Sequence, residues 1–488
     1  MKIKASAHNP EAVLAMEPVP TLLRRCRAEL AAEFDSSRPM RVSRAPGRLD
    51  VMGGIADYTG SLVAEATLDC AAAVLLQERS DRALQIFSFN LLDEHQPFTF
   101  QMPLDSLANQ PLEKLKIEFA EPGRRWAAYL AGCLFLLHEA KLIDLIDPKH
   151  RGLNLALYST VPLGAGVSSS AAIEVATMMN LVDHIGIRDR IDPMTMSALC
   201  QQVENRVVGA PCGIMDQVSS CYGEADSLLR MVCQPHEIQP ALHLPRGTRV
   251  LGINSHVKHS VGGGMYGKTR CAAFMGHKII LHHMREMAHA AKRELVSDPM
   301  NGYLANLDPD DYKQTFRPHV PEMILGKDFL ARFGPTIDSA TKVDPAGNYQ
   351  VQHATDHHVL EARRVKRFVE FLHQADVSTG VERKQLLDKA GHLMYASHLS
   401  YTNDAMLGAD ECDLLVKLVR ERESAGLYGA KITGGGSGGT VAILAEKSAG
   451  VDAAIAEIMS IYEEKTGNQP EAFVGTSPGA WHVVTVVV

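Results

Sequence analysis

The chain of 488 residues is 46% hydrophobic and 22% charged, the balance of a globular protein with material for a large core, and its length favours two domains. Its formal net charge of −8 argues against a face that grips nucleic acid or an anionic membrane, because both need clustered positive charge.

The opening stretch MKIKASAHNPEAVLAMEPVP has basic residues with no apolar core of roughly 7–15 residues behind them, and no segment nears ~18 uninterrupted apolar residues. A cytoplasmic protein is expected. A helical lead passes to a short strand at Val42–Ala45 and the turn-rich segment Pro46–Ser61, and long β-like runs follow at Leu62–Gln77 and Leu84–Phe89. Trp126–Ile143 has helical spacing, Leu153–Thr160 alternates like a strand, and a glycine-rich turn follows at Pro162–Gly166. Strand, loop and helix then alternate to about Ser260. The stretch Ser297–Gly347, rich in Pro, Asp and Gly, reads as an irregular insertion. Helical patterns return at Val359–Gln374, Arg383–His398 and Cys412–Glu423, before a glycine cluster, a strand at Val441–Ala445, a helix near Val451–Thr466 and a closing strand at His482–Val487. That order predicts an α+β protein with domains at 1–245 and 246–488, the insertion lying in the second.

The nine cysteines are scattered, odd in number and without a CxxC pair, so a reducing compartment fits better than a disulfide framework or a zinc ribbon. The pairs His282–His283 and His357–His358 lack further ligands in the sequence and read as helix-surface histidines.

Two glycine-rich loops carry the chemistry. In VPLGAGVSSSAAIEVA (Val161–Ala176), Gly164 and Gly166 let the backbone curl where a strand meets a helix, and the helix N-terminus adds about half a positive charge for a phosphate. Ser168 or Ser169 equally suits an ordinary helix cap. The second loop, KITGGGSGGTVAIL (Lys431–Leu444), excludes side chains just before a strand. It spells GxSxG around Ser437, with Asp452 and His482 following, and also GxGxxG; both motifs require a following helix, and here a strand follows. Gly262, Gly267, Lys268 and Thr269 match GxxxxGK[ST], but Ser255–Val261 separates them from the preceding strand, and no Walker-B aspartate stands out.

Three segments in order resemble motifs of the galactokinase, homoserine kinase, mevalonate kinase and phosphomevalonate kinase (GHMP) superfamily, most closely its galactokinase branch. They are RAPGRLDVMGGIADYTG (Arg44–Gly60), PLGAGVSSSA (Pro162–Ala171) and ITGGGSGG (Ile432–Gly439). CQQVENRVVGAPCGIMDQ (Cys200–Gln217) and HVKHSVGGGMYGKTR (His256–Arg270) extend the likeness, and the latter accounts for the false P-loop. The resemblance implies a two-domain α+β fold, with a ribosomal protein S5 domain 2-like first domain, a ferredoxin-like second domain and the active site in the cleft between them. It also implies an ATP-dependent sugar kinase using Mg2+, either a monomer or a weak homo-oligomer, with no nucleic-acid or membrane partner.

Within that resemblance, Asp216 takes the proton of the attacking hydroxyl, and Arg48 keeps it ionised and offsets transition-state charge. Ser169 and Glu204 hold the metal, a hard cation that takes few protein oxygens. Pro162, Gly164, Gly166, Val167, Ser168, Ser169, Ser170 and Ala171 cradle ATP, with Trp126 near the adenine. Asp57, Tyr58, Gly213, Asp216, Tyr266, Gly435 and Gly436 surround the sugar. From the residues alone, Glu204 also fits a solvated helix face, Asp216 an Asx cap, Arg48 a surface ion pair and Trp126 the core.

One departure bears on the sugar. Galactokinases usually carry a glutamate and a histidine where this chain has Gly54 and Ile55, and in them the glutamate helps hold the C6 hydroxyl. L-arabinose corresponds to D-galactose without that carbon, so a small apolar pair suits it. VENRVVGAPCGIMDQ, LLRMVCQPHEI and HSVGGGMYG also resemble the L-arabinokinase branch. The expected reaction gives β-L-arabinose 1-phosphate; the alternatives are D-galactose phosphorylation and a catalytically silent sugar sensor. Asp50 stands where the family usually has asparagine, a second departure, within Arg44–Gly60, that leaves the hydrogen bonding of that segment open.

Overall fold

The computed structural model describes residues 9–234, 236–257 and 264–488. Its first sheet is built from β1 (Arg41–Met52), β2 (Leu62–Glu78), β3 (Ala83–Ser88), β4 (Thr99–Pro103), β5 (Leu153–Ser159), β6 (Ser227–Val232) and β7 (Glu237–His243). The path runs β4-β3-β5-β2-β1, with β6 and β7 branching from β2; β3 and β5 are parallel, and the other pairs are antiparallel. A second sheet begins at β8 (Thr248–Asn254). After β9 (Ile324–Leu325) and β10 (Asn348–Tyr349), which pair with each other, it is completed by β11 (Leu427–Ile432), β12 (Thr440–Glu446) and β13 (Glu471–Phe473), in the order β11-β12-β8-β13. The short β14 (Val486–Val487) returns to the first sheet beside Arg41 and Val42, so the closing strand is shorter than the sequence pattern suggests, a turn of 3-10 helix occupying Ala480–His482.

The turn-rich reading of Pro46–Ser61 is corrected over its first half. Strand β1 continues through Pro46 to Met52, because register shifts at Pro46/Arg48 and Asp50/Met52 take up the residues that do not fit the ladder. Helices pack on both faces of this sheet, Pro10–Ala15 and Val19–Glu29 against Val42, Ala73 and Leu75 on one and the helices that position the site on the other. Ala128–Glu139 is apolar all round and buried, as a helix enclosed by others should be. Ser169–Ile185 is clamped to β1 and β2, where Asn180 donates to the Arg41 and Val74 carbonyls at 3.0 and 2.8 Å.

The segment Ser297–Gly347 is irregular as expected, holding short helical turns and one eight-residue helix, Gly326–Phe333. It is nonetheless packed. Met300, Leu304, Tyr312, Phe316 and Phe329 share a core with Cys271, Met275 and Ile279 of the helix Met265–Ala290. The histidine reading is corrected too: His357 and His358 are buried inside the helix Val351–Val377, between the turn Gly54–Thr59 and the helix Gly380–Asn403. The His358 ring faces the Tyr58 hydroxyl and Thr59 Oγ1, each at 3.1 Å. Burial, aided by Arg270, pushes its pKa down to about 3 and keeps it neutral. Among the described residues no helix is long and apolar enough to cross a membrane.

Candidate active site

Local backbone geometry explains why the glycine loops sit where they do. Gly164 and Gly166 have φ of 73° and 70°, and Ser168, at φ 61°, starts the helix Ser169–Ile185 from the left-handed region. The Ser168 and Ser169 hydroxyls are buried with no hydrogen-bond partner among the described residues. They do not cap the helix. A buried hydroxyl left unpaired at a helix N-terminus has room for a partner from outside the chain, and an anion or its metal would fit there.

The loop lines a cleft of ≈ 340 Å³ together with Arg48, Asp57, Glu204, Gly213, Asp216, Tyr266 and Gly435. Of the ATP-side residues read from the sequence, Pro162, Gly164, Gly166, Val167, Ser168, Ser169 and Ser170 line it, while Ala171 is buried behind them. Trp126 does not reach it: its indole nitrogen donates to the Gly123 carbonyl at 2.9 Å, and its neighbours Arg125 and Tyr129 line the wall instead. A larger hollow of ≈ 500 Å³ between Asp226, Arg249, Lys447 and Asp452 is open to solvent, and its charges pair across it, Arg249 with Asp452 and Lys447 with Asp226.

Arg48 is the hinge of the cleft. Its guanidinium donates to Asp216 Oδ1 from Nε at 2.9 Å and from Nη2 at 2.6 Å, and to the Gly166 carbonyl from Nη1 at 2.9 Å. Burial opposes its charge, but Asp216, Glu65 and Asp50 outweigh that and hold it protonated. Glu65, buried on β2, approaches Arg48 Nε to 3.5 Å, and burial together with Asp50 raises its pKa well above the usual carboxylate range.

Glu204 lies in a turn of π-helix, Val203–Val208, packed so closely on the helix Ala128–Glu139 that a β-carbon at Gly132 would come within 2.7 Å of Val203. Gln217 donates to Glu204 at 2.9 Å and to the buried Glu174 at 3.1 Å. Burial, then Asp216, raises the Glu204 carboxyl to about 7. A hydroxyl and a carboxylate on one cleft are the hard oxygen donors that Mg2+ prefers, so Ser169 and Glu204 fit that ion.

At the opposite end, Asp57 is buried against Gly213, where any β-carbon would overlap its carboxylate. Burial and then Asp216 raise Asp57 to about 7. Tyr266 stands in the cleft, with Tyr58 behind it in edge contact at 6.1 Å. Gly436 faces away from the cleft, toward Leu407 and Tyr401. The Arg270 guanidinium lies 4.8 Å over the Tyr58 ring and reaches the Cys212 carbonyl at 3.4 Å.

The decoy motifs dissolve. Ser437 sits in a hairpin between β11 and β12, not between a strand and a helix, while Asp452 pairs with Arg249, and His482 contacts the Tyr222 carbonyl. Gly262 lies outside the described residues; Gly267, Lys268 and Thr269 are inside the helix Met265–Ala290, with the Thr269 hydroxyl donating to the Ala405 carbonyl.

Sequence reasoning missed Lys431, Glu65, Gln217, Arg270 and Tyr401. Lys431 forms a wholly buried ion pair with Asp50. Asp50 also accepts the Gly54 amide at 3.0 Å and the Gly434 amide at 3.1 Å, so the aspartate ties the segment Arg44–Gly60 to the glycine loop Lys431–Leu444. A lysine three residues before the glycine cluster was the one available signal.

Residues 129–224 match the GHMP kinases N terminal domain and residues 383–463 the GHMP kinases C terminal domain. The L-arabinokinase of Arabidopsis thaliana is 36% identical over 92% of this chain, which spans 46% of that longer protein. The galactokinase of Actinobacillus succinogenes is 28% identical, with 90% of this chain and 93% of that protein covered. Among solved structures, Lactococcus lactis galactokinase complexed with galactose shares the fold at TM-score 0.71 and 20% identity, covering 95% of this chain and 99% of that one. Methanococcus jannaschii mevalonate kinase does so at 0.53 and 13%, covering 89% and 98%.

Proposed function

Because this chain belongs to the GHMP kinase family, in its galactokinase branch, we propose that it transfers the γ-phosphoryl group of ATP to the anomeric C1 hydroxyl of a monosaccharide, L-arabinose, giving β-L-arabinose 1-phosphate. The observation that carries this reading is Arg48, with one edge on the Asp216 carboxylate and the other on the Gly166 carbonyl of the phosphate loop.

The triphosphate would lie along Pro162–Ala171, where the helix N-terminus and the unpaired Ser168 and Ser169 hydroxyls await an anion. The acceptor's O1 attacks the γ-phosphorus, its proton passes to Asp216, and the bond from phosphorus to the bridging oxygen breaks to release ADP. Arg48 orients Asp216 and offsets charge on the transferring group. Ser169 and Glu204 would hold Mg2+, which when bound neutralises phosphate oxygens. Asp57, Gly213, Tyr266 and Gly435 would line the acceptor end, with Tyr58 supporting Tyr266 from behind and Gly436 turned away toward Leu407, in a cleft between domains 1–245 and 246–488 of a cytoplasmic enzyme.

The choice of L-arabinose is supported by the Gly54–Ile55 pair, which offers the cleft no hydrogen-bonding side chain, and by the similarity to a relative named L-arabinokinase. D-galactose is the runner-up, favoured by the similarity to galactokinases. The deciding experiment measures ADP release with Mg2+ and ATP against L-arabinose, D-galactose, D-glucuronate and mevalonate, using the wild type and Asp216→Ala. Turnover of L-arabinose above D-galactose, lost in the variant, is expected; sugar-independent release or a fully active variant overturns the reading.

A further inference from the structure

Tyr401, near the end of the helix Gly380–Asn403, is wholly buried against the turn Gly54–Thr59. Its hydroxyl donates to the Gly434 carbonyl at 2.8 Å and accepts the Ile55 amide at 3.0 Å, joining the turn Gly54–Thr59 to the glycine loop Lys431–Leu444. Its ring is held between Lys431 Nζ, 5.1 Å from the centroid, and the His357 ring at 5.0 Å. A β-carbon built on Gly54 would overlap the Tyr401 hydroxyl and come within 2.9 Å of both its Cζ and Asp50 Oδ2. Gly54 also has φ 46°, so two independent constraints keep side chains away from this position. The next residue, Ile55, lines the cleft.

We propose that Tyr401 is the residue that sets acceptor specificity. It fills the volume that any side chain at position 54 needs, so the wall beside it reaches the cleft as Ile55 alone. Both contacts of the Tyr401 hydroxyl go to backbone, and Gly54 and Ile55 bring no hydrogen-bonding side chain to this wall. A hydroxymethyl group pressed there loses its hydrogen bonds to water without replacement, whereas a pentose presents no such group. Tyr401 never touches the acceptor; it acts through residues 54 and 55. The inference rests on the pentose reading above and names what enforces it.

The experiment compares kcat/KM for L-arabinose and D-galactose, and KM for ATP, in the wild type, Tyr401→Phe, Tyr401→Leu and the double variant Tyr401→Leu with Gly54→Glu. The double variant is expected to move the galactose-to-arabinose ratio upward by about tenfold or more, with KM for ATP unchanged. Tyr401→Leu alone moves it several-fold in the same direction, and Tyr401→Phe, which keeps the ring, stays near the wild type. A folded double variant with the wild-type ratio overturns the proposal. Should that variant melt below assay temperature, an unchanged ratio in Tyr401→Leu overturns it. The wild-type ratio by itself judges the pentose reading, whereas the change between variants judges Tyr401.

Discussion

Asp338 holds the Arg270 guanidinium at two points, 2.8 Å from Nη2 and 2.9 Å from Nε, where both side chains are buried. Asp338 belongs to the irregular insertion, and its own carboxylate is fixed by the Ala340 and Thr341 amides and the Thr341 hydroxyl. Arg270 in turn lies over Tyr58 and reaches Cys212, the residue before Gly213. The insertion therefore braces both Tyr58 and the Cys212–Gly213 wall of the end of the cleft proposed for the acceptor.

Asp338→Asn leaves the Arg270 charge buried without its counter-ion. Breaking such a pair costs about 3–5 kcal/mol, because the stranded charge keeps its desolvation penalty. Chemical denaturation is expected to show a loss of that order, and steady-state kinetics a KM for the acceptor that rises far more than KM for ATP. Equal increases in the two constants would sink the assignment to the acceptor end.

Arg48→Lys keeps a positive charge but loses the planar fork that serves Asp216 and Gly166 together. A fall in kcat of about 10²–10³-fold is expected, the size seen when a preorganised donor is removed from a site of developing charge. A variant within a factor of about three of the wild type would show that the fork is dispensable.

The Asp50–Lys431 pair makes a matched test of buried charge. Lys431→Met should destabilise the protein by about 3–5 kcal/mol, and adding Asp50→Asn should recover most of that, since the second change removes the stranded carboxylate. Denaturant midpoints of the two variants decide it; an equally unstable double variant would mean that Lys431 acts through packing.

Asp57 gives stability a pH dependence of known sign. Its carboxyl has the ordinary value of 3.8 when unfolded and about 7 in the folded protein, raised by burial and then by Asp216. Between those values the folded state binds the extra proton, so this contribution is present at low pH and is lost as pH rises through about 7. Thermal melting of the wild type should fall relative to Asp57→Asn across that window. Parallel profiles would contradict it.

The glycine loops and the strand and helix that flank the phosphate loop were legible because each rests on chemistry held within a few residues, whereas the pairing of Arg48 with Asp216, 168 residues apart, followed only from the resemblance of two separate motifs. The Asp50–Lys431 pair was not, since its partners are 381 residues apart and each alone reads as a solvated charge. Strand β1 was cut short in the sequence reading because Pro46 and Gly47 look like a turn, whereas the ladder to β2 absorbs them with a bulge. His357 and His358 read as surface residues because helical periodicity says nothing about a helix covered on two sides. Trp126 drew attention for its ring, while the cleft takes Arg125 and Tyr129 from either side of it.

One guanidinium that holds Gly166 on one side and Asp216 on the other makes a mechanical link between the two ends of the cleft. Whatever draws the phosphate loop inward also turns the carboxylate that awaits the acceptor. Nucleotide and sugar should therefore strengthen each other's binding, and thermodynamic reciprocity requires the same factor in both directions. Order of addition would then be a matter of rates alone, and either ligand could serve as the first to arrive.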